Sequence, residues 1–450
     1  MKTAKTAYII IACAIAAIAM PLHAEVLTLD ECIAMAKRNN KSLRAADLQS
    51  QAAELNIKSI KGQFFPSISV TGTALYSDAD GSYSMGPFDL PVKDLSGNFN
   101  GMSAYMPELP LEFELGFAYG GGIKLEQPIY MGGKISTGYR MAKTGHAIAL
   151  QSRRLTEAEV IVKTSQAYAD AVKARELREV ALAYNTLLSE LMRTVESAKR
   201  HGLKSQNDVL KVQVKLNDSE LQLRRAENGL RLATMNLCHY IGRPLIDSIS
   251  TANTLPDCDY TATVTADIAE RPEYQMLQGQ TDIARHKIAM ARADYLPQIG
   301  LVGQYGYFNG AKLNGRKLID GGSWLVGVQL SIPIYDFGHR YNKIKAAKAQ
   351  YAQAIAERDD TYEMLSLEIQ QCVNNLDEAA LELRLADASV ASADENLRSS
   401  RRQYEAGVET LSDYLEAQTI WQQARQTQVE ARINKYLRYL EYQKAAGIIN

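Results

Sequence analysis

The acidic pair Asp413 and Glu416 has the residue types and the spacing best suited to chemistry in this sequence. Residues three apart on a helix lie on the same face, so the two carboxylates are expected side by side. Several such pairs brought together would repel one another, concentrate cations and could bind a polyvalent cation. The alternative is a solvated helix face without a specific role.

Catalytic chemistry finds no support in the motifs of the chain. The sequence contains no H-E-x-x-H, G-x-x-x-x-G-K-[ST] or G-x-S-x-G pattern, and its six histidines are scattered rather than paired at metal-binding spacing. We therefore predict no enzyme activity, no catalytic residue, no cofactor and no metal site. The formal net charge of −1 and pI near 6.6 also argue against nucleic acid as a partner, because phosphate binding needs a clustered basic surface.

The N-terminus predicts export from the cytoplasm. Two lysines precede an apolar run from Ala7 to Met20, and Ala24 is placed as the last residue of a cleaved signal peptide over residues 1–24. Lipid attachment at Cys13 is the alternative, but the apolar run continues seven residues beyond that cysteine. Beyond the signal peptide, no uninterrupted run of about 18 apolar residues occurs.

Four cysteines remain after removal of the signal peptide: Cys32, Cys238, Cys258 and Cys372. Cys238 and Cys258 flank a short linker and could pair in an exported protein. The alternative is that all four are free and buried, because so few cysteines cannot form a disulfide framework for a chain this long.

The chain is a duplication. Pro128-Ile129-Tyr130 recurs 205 residues later as Pro333-Ile334-Tyr335, and several landmarks follow the same shift. These landmarks are Gly133 and Gly338, Gly202 and Gly407, Asp208 and Asp413, Leu210 and Leu415, and Gly242 and Gly447. Upstream the shift is 231, from Pro66 to Pro297, so the first copy has 26 extra residues within Ser77–Pro110. The glycine and proline content there predicts a loop.

Each copy is predicted to contain a helix, a strand pair and a long helical hairpin. The first repeat spans residues 25–242, with strands 66–76 and 111–130 and a hairpin over 135–241 whose tip lies at 202. A linker covers 243–264. The second repeat spans 265–450, with strands 297–308 and 323–335 and a hairpin over 339–446 whose tip lies at 407.

Heptad spacing indicates coiled-coil packing of the long helices. No proline follows Gly338, and large residues recur at every seventh position beside a row of smaller ones. The large row is Ile369, Leu376, Leu383, Val390, Leu397, Tyr404 and Leu411, and the small row is Cys372, Ala379, Ala386 and Ala393.

The strands alternate between apolar and other residues, as in the wall of a membrane barrel. In the second copy Trp324, Val326, Val328 and Leu330 alternate with Ser323, Leu325, Gly327 and Gln329. Aromatic residues at the strand ends suggest an interfacial girdle, namely Phe64, Phe65, Tyr130, Tyr295 and Tyr335. Four strands cannot close a barrel, so several chains must contribute, with eight or twelve strands both permitted. A soluble sandwich with one buried face is the alternative.

The chain has duplicated strand pairs and hairpins, with Pro-Ile-Tyr-x-x-Gly in each copy and Gly-x-x-[Ser/Thr] at both turns. In these features it resembles the TolC-like outer membrane efflux proteins over essentially the whole mature chain. The resemblance implies a mainly α fold with transmembrane β-structure: a homotrimer with a twelve-stranded β-barrel in the outer membrane, a long periplasmic α-helical barrel and an equatorial belt. It also implies an exit duct that works with a periplasmic adaptor protein and an inner-membrane pump, for efflux or type I secretion. An exported coiled-coil scaffold is the alternative function.

The resemblance also assigns candidate sites at the periplasmic mouth. The expected adaptor-docking tips are Gly202, Leu203, Ser205, Gly407, Val408 and Thr410. Asp413 and Glu416 match positions that form an acidic constriction of the lumen, and Asp208 and Tyr404 match a hydrogen-bonded pair that keeps the mouth closed. Glu409 stands where better-known members have an arginine in this gate network. If Glu409 faces Asp208, their repulsion is expected either to bias the mouth open or to require another partner, such as Lys204 or His201.

Overall fold

In the computed structural model, the described residues are 25–78, 80–246, 249–252, 255–256, 267–310, 312–317 and 320–449. The predicted signal peptide, most of the predicted linker and Cys258 lie outside them, so the Cys238–Cys258 pairing stays a prediction. Helices dominate, and no described helix is long and apolar enough to cross a membrane.

The elements follow one another in two similar series. The first comprises β1 (Glu25–Leu27), α1 (Leu29–Asn39), α2 (Lys41–Gly62), β2 (Ser67–Tyr76), β3 (Asp80–Met85), β4 (Phe88–Lys93), β5 (Phe99–Met106), β6 (Leu109–Glu114), β7 (Phe117–Met131), α3 (Lys134–Arg200) and α4 (Gln206–Ile241). The second comprises β8 (Ile249–Thr251), a 3-10 turn (Ile268–Glu270), α5 (Pro272–Ala293), β9 (Gln298–Asn309), β10 (Lys312–Leu313), β11 (Arg316–Lys317), β12 (Asp320–Ser331), α6 (His339–Glu405) and α7 (Leu411–Ala445).

The contacts divide the chain into two units. The first unit contains the described residues within 25–52, 147–279 and 355–449, and it is mainly helical. One of its cores is centred on Tyr168, Leu237 and Ile433, and it includes Cys32 and Cys238. Short parallel pairing of β1 with β8 lies beside this core, and the Tyr168 hydroxyl donates to the backbone oxygen of Leu27 or Ala252, both at 3.3 Å.

The seam predicted on α6 is buried along its length. Leu376, Ala379, Ala386, Val390 and Ala393 are buried, and the remaining members up to Leu397 are half-buried. Leu376 packs against Tyr442 and Ala446 of the second hairpin. Burial of each large side chain stabilises the packing by about 1.5–3 kcal/mol, so the seam rather than helix propensity holds these long helices together.

The second unit, residues 53–146 and 280–354, contains an antiparallel sheet in the order β12-β9-β7-β2. Its two faces differ in chemistry. Side chains on one face are apolar and exposed, including Ile68, Val70, Ile123, Tyr305, Trp324, Val326, Val328 and Leu330. The opposite face is mainly polar, with Ser69, Thr71, Thr73, Lys124, Glu126, Gln304, Gln329 and Ser331, and it also carries Leu75, Val302, Phe308 and Leu325. Both faces are open in the single chain.

Three strand predictions need correction. The stretch Ser77–Pro110, expected to be a loop, contains β3 and the β4–β5 hairpin. The strand expected over 111–130 is two strands, β6 and β7, because Gly116 adopts a positive φ of 29° and breaks the ladder. The strand expected over 323–335 is displaced to Asp320–Ser331, since β9 offers its last partner, Gln298, to Ser331.

Candidate functional site at the hairpin tips

The first hairpin reverses at Gly202. Its backbone has φ +80°, a left-handed conformation that costs a residue with a Cβ about 1–2 kcal/mol. The Gly202 N–H donates to the Lys199 oxygen and the Leu203 N–H to the Ala198 oxygen, both at 2.9 Å. This crossed pair of bonds satisfies the last carbonyls of α3 and turns the chain toward α4.

The second hairpin repeats this geometry at Gly407, where φ is +76°. The Gly407 N–H donates to the Tyr404 oxygen at 3.1 Å, and the Val408 N–H donates to the Gln403 oxygen at 2.9 Å. No described atom lies within 4 Å of a Cβ built on either glycine, so backbone conformation alone requires glycine at the two turns.

A capping box starts the return helix of each hairpin. Ser205 caps α4: its hydroxyl accepts from the Asp208 N–H, and the Asp208 carboxylate accepts from the Ser205 N–H at 3.0 Å and from its hydroxyl at 2.8 Å. Thr410 and Asp413 make the same exchange at α7, with hydroxyl to carboxylate at 2.6 Å. The hydrogen bonds from Ser205 hold the pKa of Asp208 below its usual value. Both aspartates therefore stabilise the tips.

Each turn exposes one apolar side chain. Leu203 is 77% exposed and Val408 is 78% exposed, and the two occupy equivalent positions of the duplicated hairpins. Single exposed apolar residues are common on protein surfaces, so the equivalence of the two positions, rather than exposure alone, distinguishes this pair. The pair is a candidate contact point for another protein.

The two hairpins share one core behind their tips. Leu188, Val195 and Val212 of the first hairpin are fully buried and cluster with Leu411 and Leu415 of the second. Burying these five side chains fixes the two tips side by side within this unit. The candidate site is therefore a single surface made by both repeats.

The structure brings Tyr404 of the predicted gate network into contact with Lys204, one of the two basic residues expected as a partner for Asp208. The Tyr404 ring stacks on Tyr414 with centroids 5.2 Å apart, and the Lys204 ammonium lies 4.7 Å from the Tyr404 centroid. Burial raises the pKa of Tyr404, and the nearby charge of Asp208 raises it further. In the described hydrogen bonds of the Asp208 carboxylate, the donors are the N–H and the hydroxyl of Ser205.

Glu409 has a local partner in its own hairpin. Its carboxylate accepts a hydrogen bond from the Ser400 hydroxyl at 2.5 Å. His201, the other candidate partner for Asp208, places its Nδ1 2.9 Å from the Ser197 oxygen. Lys204 thus contacts the ring of Tyr404, and its charge also lowers the pKa of Asp208.

Asp413 and Glu416 are both exposed, while Tyr414 and Leu415 between them are buried. The two acidic residues therefore share the outward side of the first turns of α7. Glu416 also lines a groove whose other side is α4, and the apolar residues that line it are Val214, which is exposed, and Leu415, which is buried. Two lysines of α4 line the same groove, Lys211 and Lys215.

Sequence reasoning missed the capping boxes and the lysines. The spacing Ser205-x-x-Asp208 and Thr410-x-x-Asp413 is a recognisable capping signal. The lysines are about two hundred positions from Glu416 in the sequence, so only the packing of α4 beside α7 brings them close. Lys211 confirms this packing by donating to the Ser412 hydroxyl at 3.3 Å.

The comparison with known families decides what kind of protein carries these features. A family model described as outer membrane efflux protein matches residues 32–243 and 266–447, most of the chain. The chain belongs to the outer membrane efflux protein family. The resemblance noted from the repeated Pro-Ile-Tyr and the two turns is thereby confirmed.

Known proteins similar to this outer membrane efflux protein include secretion and efflux components. It is 24% identical over 431 residues to the proteases secretion protein PrtF of Dickeya chrysanthemi, covering 92% of this chain and 87% of PrtF. It is 23% identical over 304 residues to the outer membrane protein TolC of Escherichia coli, covering 65% and 62% of the two chains. The fold resembles the CmeC outer membrane channel of Campylobacter jejuni, with a TM-score of 0.76, 20% identity and coverage of 93% and 85%.

This outer membrane efflux protein therefore has the fold of an outer-membrane channel, and its location is the outer membrane. Its family and fold are those of channels rather than of enzymes.

Proposed function

We propose that this outer membrane efflux protein is the exit duct of a three-part export system. It conducts substrates passively from a periplasmic adaptor protein and an inner-membrane pump to the cell exterior, and it transforms none of them. The amphipathic sheet β12-β9-β7-β2 carries this proposal, because a wall with one apolar and one polar face suits lipid outside and water inside.

The open edges of that sheet support a homotrimer. β12 and β2 are edge strands in the single chain, and unpaired edges are not tolerated in lipid. Three copies would close a twelve-stranded barrel. The exposed aromatic residues Phe64, Phe65, Tyr130, Tyr295 and Tyr335 would then form a girdle at its periplasmic rim.

The helices support packing between copies as well. α4 exposes an apolar series along its length, consisting of Leu210, Val214, Leu221 and Leu232. Helices with uncovered apolar stripes need a partner surface. We infer that the hairpins 135–241 and 339–446 of three copies form a periplasmic α-helical barrel, with the 243–264 linker in an equatorial belt.

The tips are the proposed docking points for the adaptor. Leu203 and Val408 are exposed on rigid turns, with Gly202, Ser205, Gly407 and Thr410 holding the backbone. A photo-crosslinking amino acid at Leu203 or Val408 should capture the adaptor encoded beside the pump. The same amino acid at Leu385, exposed on α6 away from the turn, is the matched control; equal capture there would contradict tip docking.

The lumen constriction is proposed at Asp413 and Glu416. Asp413 also caps α7, so its substitution would mix two effects, whereas Glu416 makes no described hydrogen bond or ion pair. In planar bilayers, Glu416→Gln should weaken block of the channel current by hexaamminecobalt(III). Lys215→Gln, in the same groove, should strengthen the block. Unchanged block in Glu416→Gln would refute the constriction.

The gate network is proposed to involve Asp208, Tyr404 and Glu409, with Lys204 as the basic member. Removal of the ring contact by Tyr404→Leu should increase the fraction of time that the channel is open in the same bilayer assay. An unchanged open fraction would exclude Tyr404 from the gate.

The names of similar proteins suggest two types of pump that this channel could serve. PrtF and the alkaline protease secretion protein AprF of Pseudomonas aeruginosa are secretion components by name, whereas the probable efflux pump outer membrane protein TtgC of Pseudomonas putida is named for efflux. Deletion of this chain should abolish either secretion of a protein or resistance to small toxic compounds. Retention of both would contradict an export role.

A further inference from the structure

The two repeats use one strand register. Ser67 of β2 lies opposite Glu126 of β7, and Gln298 of β9 lies opposite Ser331 of β12. Shifts of 231 residues for the first strand and 205 for the second carry one pair onto the other. The same shifts convert every β2–β7 pair, from Ser67 to Tyr76, into a β9–β12 pair. The sequence duplication is therefore also a duplication of hydrogen-bonding register.

The pairing of β7 with β9 shows how one repeat joins the next. β7 continues for five residues beyond Glu126, where β2 begins, and β9 alone holds this extension, residues 127–131. Within it the register shifts between Pro128 and Tyr130, so that Ile129 has no opposite residue. Proline lacks the backbone N–H needed for a regular ladder, which suits a bulge here.

β12 lacks the corresponding extension in the single chain. It ends at Ser331, the equivalent of Glu126, and residues 332–336 lie outside any strand. Ile332, Ile334 and Tyr335 are exposed, and Ile334 is 92% exposed, compared with 62% for the equivalent Ile129. Residues 127–131 of β7 are strand because they pair with β9. The single chain has no strand in the corresponding position beside residues 332–336.

We propose that β12 of one copy pairs with β2 of the next copy in the register of β7 with β9. Applied to that pairing, the two shifts place Val328 opposite Ala74 and Val326 opposite Tyr76. Residues 332–336 become strand, with Ile334 as the bulge residue. The proposal rests on the proposed function in one respect, namely that copies of this chain close one barrel.

The side-chain pattern agrees with this register independently. Opposite residues point to the same face of a sheet, so Trp324, Val326, Val328 and Leu330 continue the apolar face that Tyr76, Ala74 and Gly72 share with Val70. A slip by one residue would set Val328 beside Thr73 and join the apolar face to the polar one. The alternation thus excludes odd slips, and the duplication selects one register among the even ones.

Cysteine pairs test the register in the full-length protein in outer membranes. Val328→Cys with Ala74→Cys and Val326→Cys with Tyr76→Cys are the predicted opposite pairs. Opposite Cα atoms in antiparallel strands are about 4.5–5.5 Å apart, within disulfide range, whereas diagonal neighbours are about 7–8 Å apart. The slipped controls are Val328→Cys with Tyr76→Cys and Val328→Cys with Gly72→Cys. Each single substitution alone monitors the native cysteines.

Mild oxidation should convert the predicted pairs into covalent dimers and trimers on non-reducing gels. β12 and β2 lie three strand spacings apart within one chain, about 14 Å, so a disulfide between them must join two copies. Cross-linking of a slipped pair instead would refute the proposed register but would still support a barrel closed by β12–β2 pairing between copies. Absence of cross-links in all four pairs, with each protein present in the outer membrane, would refute β12–β2 pairing and the barrel together. If one of the two double-cysteine variants with opposite residues fails to accumulate, cross-linking of the other is enough to test the register.

Discussion

The turn glycines offer a quantitative test of how the tips are built. Replacing Gly202 or Gly407 by alanine forces a Cβ into the left-handed region, at a cost of about 1–2 kcal/mol. The lower entropy of the unfolded chain offsets about 0.4–1 kcal/mol of that cost. No described atom would clash with either Cβ, so no packing term adds to it. The net destabilisation of each tip is therefore expected to be about 1 kcal/mol.

Hydrogen exchange measured by mass spectrometry reads this value at the amides of Leu203 and Val408, which bond across the turns. A loss of about 1 kcal/mol corresponds to about fivefold faster exchange of the tip peptides. Gly229→Ala is the matched control: Gly229 lies inside α4 with equally open space, and alanine there should stabilise the helix by about 0.5–1 kcal/mol and slow exchange. Equal behaviour of tip and control variants would refute the reasoning.

Three further predictions concern buried or capped groups in the helical unit. Burial raises the pKa of Cys32 to about 12, so iodoacetamide at pH 8 should leave its thiol unmodified until the protein is denatured; prompt labelling of its peptide would contradict this. Hydrogen bonds from Ser205 lower the pKa of Asp208, so the stabilisation from its carboxylate should be present above the unfolded pKa of about 3.9 and be lost as pH falls through the lower folded value. Ser205→Ala should cost about 1 kcal/mol at pH 7 by hydrogen exchange, and less once the carboxylate is protonated, when only the bond from the Asp208 N–H to the serine hydroxyl is left to lose; an equal cost at both pH values would contradict this. Arg271, only 2% exposed, pairs with Glu368 at 2.8 Å, and Arg271→Met should lower the thermal midpoint through a loss of about 1–3 kcal/mol; an unchanged midpoint would show that the pair is dispensable.

The long helices were predictable from the sequence because their signals are repeated many times. The proline-free stretch after Gly338 and its heptads predicted a helix over 339–406, and α6 runs from His339 to Glu405. Six heptads of consistent spacing, from Ile369 to Leu411, outweigh local exceptions. The turn at Gly407 follows from the same reading, since only a glycine interrupts the pattern there.

Short strands were harder to predict. Phe88, Leu90 and Val92 alternate within β4, but the glycine and proline around them favoured a loop. A single alternation from Leu111 to Tyr119 conceals the break at Gly116, because side-chain period cannot reveal a change of pairing partner. The end of β12 depends on an edge that a single chain leaves open, so no local signal could set it.

The sequence predicted where the candidate site at the hairpin tips lies, but not how its residues interact. The turns and the acidic residues stand out in the sequence, but the roles of Asp208 and Asp413 as helix caps appear only with their hydrogen bonds. The neighbourhood of Glu416 is set by tertiary packing of α4 against α7, which places Lys211 and Lys215 in its groove. Spacing along the chain carries no information about such a juxtaposition.

We propose that this protein crosses the outer membrane, with the β4–β5 hairpin at the cell exterior and the helical tips in the periplasm. Leu95 in that hairpin and Leu203 at the first tip are both highly exposed, so single cysteines there should react readily wherever reagent reaches them. In intact cells, a membrane-impermeant maleimide should label Leu95→Cys, and it should label Leu203→Cys only after the outer membrane is permeabilised. Labelling of Leu203→Cys in intact cells, or of Leu95→Cys only after permeabilisation, would contradict the account.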